Sequence, residues 1–76
     1  MIEVFKTNVE HRMHALMLVE QIHKTFSGYR ANFDLDDCDR ILRVTSVTGS
    51  VEACGLIRLL EEQGFEAEVL PDIVPQ

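Results

Sequence analysis

Four side chains near the amino terminus carry atoms that suit a soft metal ion. His11 and His14 stand three residues apart, with Met13 and Met17 beside them. Imidazole nitrogen with thioether sulfur fits Cu(I), and imidazole also fits Zn(II). At about 100° per residue the four fall along one arc of a helix, away from an apolar stripe. The alternative is structural: both methionines pack at the shoulder of a core while both histidines meet water. A His–x–x–His spacing arises often by chance, and no third ligand accompanies it. His23 lies at the edge of the same stripe and reads as a flanking residue whose ring packs and whose nitrogens reach solvent.

The remaining reactive residues form no catalytic pattern. Cys38 falls in an acidic turn and Cys54 in the first turn of a second helix. The two lie at opposite ends of a strand, ~20 Å apart at ~3.3 Å per residue. That span exceeds disulfide reach, and it also rules out a two-thiolate metal site within one chain. Asp34, Asp36, Asp37 and Asp39 suggest calcium, yet the central glycine of an EF-hand loop is missing and Thr45 stands where its bidentate Glu belongs. A solvated hairpin tip that protects sheet edges from aggregation accounts for them better. The chain has no Gly-rich phosphate cradle and no paired nucleophile and base, so the sequence points away from an enzyme.

The elements that position these residues follow from apolar spacing. Residues 2–7 alternate as a strand, with Ile2 and Val4 on one face and Glu3, Phe5 and Thr7 on the other. Asn8 suits a helix N-cap, with Glu10 in the first turn. From Val9 to Phe26 the period becomes helical, and Ala15, Leu16, Val19, Ile22 and Phe26 share a stripe. Gly28 supplies the positive φ that ends this helix. Ala31, Phe33 and Leu35 then alternate in a strand, residues 36–39 turn, and residues 40–46 return with Leu42 and Val44 inward. Ser50 is the predicted second N-cap. Ala53, Leu56, Ile57 and Leu60 line the second helix, Gly64 stops it, and residues 65–70 form a last strand ended by Pro71. The predicted fold is α+β, a ferredoxin-like βαββαβ unit over residues 1–70, with a frayed tail over 71–76. Its four-stranded antiparallel sheet carries two helices on one face and leaves the other face open.

Length and charge narrow the function classes. Seventy-six residues allow one core, and a core this small with no disulfide or metal favours self-association. Thirteen acids against seven Lys and Arg give a net charge of −6. Such a surface repels phosphate backbones, which argues against nucleic acid and anionic membranes. The amino terminus lacks a signal-peptide pattern, and no apolar run approaches the roughly 20 residues of a membrane helix. A cytoplasmic protein is expected.

The spacing of Val19, Ile22 and Phe26, the strand Phe33-Asp34-Leu35, the return strand Leu42-Arg43-Val44, and Leu56, Ile57 and Leu60 before Gly64-Phe65 together resemble the heavy-metal-associated domain family, the fold of small copper chaperones. The likeness covers residues 2–70. That family binds metal through a Cys-x-x-Cys where the first strand meets the first helix. Here Arg12 and Ala15 fall at the cysteine positions, so no metal ligand carries over. The resemblance therefore implies a scaffold without its metal loop, and a protein partner or self-association is the leading function. The expected docking surface is the open sheet face, with Phe5 and Ile41 adjacent, Arg43 beside them and Leu70 on the flanking strand. Copper or zinc binding through His11, Met13, His14 and Met17 is the alternative. A small-molecule regulatory domain comes third, by analogy of fold alone.

Overall fold

The computed structural model describes residues 1–36 and 38–70. Asp37 of the expected turn, and the expected tail with Pro71 as strand terminator, lie outside the described residues. The elements run β1 (Ile2–Thr7), α1 (Arg12–Thr25), β2 (Tyr29–Asp34), β3 (Ile41–Ser46), α2 (Ala53–Glu62) and β4 (Ala67–Val69). The strands form one antiparallel sheet in the order β2-β3-β1-β4. The fold is α+β, as the apolar spacing predicts.

Register decides which side chains meet the helices. Phe5 stands opposite Leu42, and Ala31 stands opposite Val44. Because side chains alternate along a strand, Phe5, Leu42, Val44 and Ala31 share one face. They join Ala15, Leu18 and Ile22 of α1 and Leu56 and Leu60 of α2 in a single buried cluster. Each fully buried Leu, Ile, Val or Phe in it contributes about 1.5–3 kcal/mol relative to exposure.

Phe5 is therefore a core residue, fully buried under the helices, and not part of the open face. The alternation within residues 2–7 is real, but its phase is opposite to the one expected. Two apolar residues at the start of the strand, Ile2 and Val4, outweigh one aromatic in a sequence count. In three dimensions the aromatic takes the covered side, and Ile2 remains 54% exposed.

Helix α1 begins at Arg12, three residues after the predicted start, with His11 at the N-cap position and no side-chain cap. Asn8 serves the chain differently. Its backbone N–H donates to the Glu66 carbonyl, and its Oδ1 accepts the Glu66 N–H at 2.8 Å. Asn8 thus ties the β1–α1 loop to the segment entering β4. Thr7 completes the bend: its buried hydroxyl donates to the Arg40 carbonyl at 2.6 Å and accepts the Val9 N–H. Buried residues on α1 recur as Ala15, Leu18 and Ile22 with Val19 half-buried. Leu16, placed in the stripe by spacing, is 59% exposed. The buried positions Ala15, Leu18 and Ile22 cluster on one side of the helix, and Leu16 lies about 100° or more around from them, toward solvent.

Helix α2 starts at Ala53 with Glu52 at the N-cap, not with Ser50. The orphan donor is satisfied from outside: the Tyr29 hydroxyl accepts the Glu52 N–H at 2.7 Å and donates to the Ser50 carbonyl at 3.4 Å. At the other end Gly64, with φ +90°, donates to the Glu61 carbonyl while Phe65 N–H donates to Leu60. This paired pattern closes the helix and frees the chain to enter β4.

Candidate interaction site

Among the described residues, the ladder leaves one long free edge. β2 is an outer strand of six residues, whereas the opposite outer strand, β4, has three. In an antiparallel ladder, alternate residues turn their N–H and C=O groups toward one neighbour. Ala31 N–H turns away from β3, since it donates to His23 Nε2 on α1 at 3.2 Å. Alternation puts the backbone groups of Phe33 on the same outward side. His23 thus does more than flank the core: its ring accepts from the sheet edge.

Beside that edge runs a groove of about 410 Å3 between α1 and β2. Its walls are mainly apolar, from Ala15, Leu16 and Val19 on the helix and Ala31, Phe33 and Leu35 on the strand side. Arg12, Asn32, Asp34 and Asp36 supply its polar lining. Leu16 leads outward from the groove to Met13 and Met17, which lie three residues before it and one after on the same exposed side of the helix. Met13 is 76% exposed and Met17 37%. An exposed apolar surface continuous with unpaired strand edge is a place where polypeptide can dock. Sequence spacing misses this groove because it places Leu16 in the core.

The open sheet face is more polar than the residues named for it suggest. By register it presents Ile2, Val4 and Lys6 of β1, Ile41, Arg43 and Thr45 of β3, and Arg30, Asn32 and Asp34 of β2. Glu68 joins from β4, and Leu70 continues that line through its N–H bond to the Val4 carbonyl. Ile41 is only 6% exposed, between Lys6 and Asp34 in the ladder. Arg43 is exposed and lies 3.8 Å from Asp34. Ile41, Arg43 and Leu70 share this face, but with Phe5 on the covered side it has no aromatic anchor.

The expected metal residues are brought together only in part. The rings of His11 and His14 meet edge to face with centroids 5.2 Å apart, and His14 also lies 5.3 Å from the Phe65 ring. Met13, between the two histidines in sequence, turns to solvent, and Met17 lies partly exposed one turn on. Among the described residues no group of three or more His, Cys, Asp or Glu converges on a point where an ion would sit. A second recess, of about 520 Å3, lies beside the β1–α1 bend and is lined by Lys6, Thr7, Asn8, Glu61, Glu66 and Glu68. Its carboxylates share it with an ammonium group. Cys38 and Cys54 are both free and exposed.

No helix among the described residues is long and apolar enough to cross a membrane. Compared with family models, with curated proteins and with solved structures, the chain gives no significant match.

Proposed function

We propose that this chain is a non-enzymatic binding module on a ferredoxin-like scaffold, and that it takes an extended polypeptide along the free edge of β2. The element order βαββαβ and the strand order β2-β3-β1-β4 support the scaffold assignment. The observation that carries the binding role is the outward edge of β2 lying beside the apolar α1–β2 groove. Strand addition draws affinity from backbone hydrogen bonds and specificity from pockets that receive alternate side chains. Here Phe33, and Ala31 once His23 releases its N–H, offer the backbone groups, and the groove offers the pocket.

Selection from a random-peptide library, followed by amide-shift mapping on the intact chain, tests this reading. Selected peptides are expected to shift residues of β2 and the α1 positions Leu16, Val19 and His23, and to lose affinity for Leu16→Asp. Peptides that map only to the open sheet face, or a selection yielding no binder, would refute it.

A second reading is copper or zinc binding by His11 and His14, with Met13 or Met17 supplying sulfur. The neighbouring imidazoles favour it. Titration of Cu(I) and Zn(II) against wild type and His14→Ala decides it, since equal weak binding by both removes the idea.

A further inference from the structure

Exposed sheet edges are normally short, covered, charged or interrupted by proline, because an unpaired edge recruits other strands. β4 meets this rule: it has three residues and carries Glu68. β2 does not. Its sequence Tyr29-Arg30-Ala31-Asn32-Phe33-Asp34 has neither lysine nor proline. Its outward backbone is occupied at one described point within the strand, where Ala31 N–H meets His23. From Arg30 onward the side chains run cation, small, amide, large, anion, an order that complements itself about the amide. Reversing the strand about its middle exchanges cation with anion and small with large.

Building on the strand-addition reading, we propose that the occupant of this edge is β2 of a second copy of the chain, paired antiparallel about a two-fold axis at Asn32. In that register Ala31 exchanges backbone hydrogen bonds with the partner's Phe33, and Phe33 with the partner's Ala31. The parity is correct, because these are the residues whose N–H and C=O groups point outward. On the open face Arg30 stands opposite the partner's Asp34, and Asp34 opposite the partner's Arg30. Asn32 meets the partner's Asn32 on the axis. On the helix face a small side chain meets a large one twice, Ala31 against the partner's Phe33 and the reverse, so that each Phe33 fills space left by an alanine. Shifting the axis by one residue in either direction, to centre on Ala31 or Phe33, sets Arg30 against the partner's Asn32 or the partner's Asp36 and loses the mutual pairing with Asp34. The symmetry is closed, so assembly stops at two copies.

The product is an eight-stranded sheet with all four helices on one side. Asp34 already lies 3.8 Å from Arg43, so the partner's Arg30 joins an existing pair and does not replace it. His23 must release Ala31 N–H for the strands to zip together, which makes this ring the latch on the edge. The net charge of −6 per copy opposes association at long range, and salt screens this repulsion together with the Arg30–Asp34 attraction.

Sedimentation equilibrium on the full chain, from about 10 µM up to a Kd limit near 1 mM, tests the proposal. Wild type is expected to show a monomer–dimer equilibrium. Arg30→Glu and Asp34→Lys each turn two attractive pairs into two repulsive ones and are expected to weaken the dimer about tenfold. An equimolar mixture of the two variants restores it. The carboxylate introduced at position 30 of one copy then faces the ammonium group introduced at position 34 of the other, while native Arg30 and Asp34 meet at the second contact. If Asp34→Lys fails to fold beside Arg43, Asn32→Lys and Asn32→Glu give the same logic at the axis, each repelling its own copy and attracting the other. A wild type that stays monomeric throughout, or a dimer indifferent to both reversals, overturns the proposal. Peptides that still bind the edge of such a monomer leave the strand-addition reading standing, whereas failure of both removes β2 as a site.

Discussion

Gly55→Ala separates two effects that normally travel together. Gly55 is the third residue of α2, where replacing Gly by Ala ordinarily stabilises a helix by up to about 1 kcal/mol. Here a Cβ would lie 3.0 Å from Phe26 Cζ and 3.3 Å from Cε1, against an unstrained carbon–carbon separation of about 3.5–4.0 Å. Phe26 has little freedom to retreat. Its ring is stacked on Tyr29 at 5.0 Å and 9°, and Tyr29 is fixed by the bonds from its hydroxyl to Glu52 and Ser50. Overpacking of this kind costs about 1–3 kcal/mol. The net expectation is a loss of about 1 kcal/mol, which lowers Tm by about 4–8 °C in a domain of this size. Urea and thermal melts followed by circular dichroism measure it. In a Phe26→Leu background the clash disappears, and Gly55→Ala is then expected to stabilise. A double-mutant cycle over the two positions reads the coupling directly. If Gly55→Ala raises stability equally in both backgrounds, the steric argument is wrong.

Two more substitutions probe the frame. Phe5→Ala removes a fully buried ring between the sheet and both helices and is expected to cost about 3–5 kcal/mol, enough to unfold much of the population at 37 °C by circular dichroism; a mild effect would return Phe5 to the open face. Gly64→Ala meets no atom within 4 Å but holds φ at +90°, so it should cost about 1–2 kcal/mol from backbone strain alone, a loss that urea melts detect and that a neutral result contradicts.

How much of the fold can be read from the sequence depends on which signals are local. The six elements are legible because period-two and period-3.6 spacing of apolar residues is read from neighbours in the chain. Gly28 and Gly64 are legible as helix ends for the same reason, and both hold positive φ. The phase of β1 is not, because it is set by pairing with Leu42, thirty-seven positions away. The caps mislead likewise: Asn8 and Ser50 have capping side chains, but Asn8 is recruited by Glu66, and the Glu52 N–H is taken by Tyr29. Leu16 counts as core on a wheel, and only the position of β2 beneath α1 reveals it as the lip of a groove. The histidine pair is legible as neighbours at three-residue spacing. The contact of His23 with Ala31 is not, since a strand edge has no signature in the histidine's surroundings.

The tyrosine that closes the amino end of α2 comes from twenty-three positions upstream. Helix nucleation is the unfavourable step in making a short helix, and here its first turn is completed by a hydroxyl held at the start of another strand. The second helix therefore draws part of its stability from β2, whose first residue supplies that hydroxyl. A fragment beginning after β3 is expected to have less helix than the same residues in the intact domain.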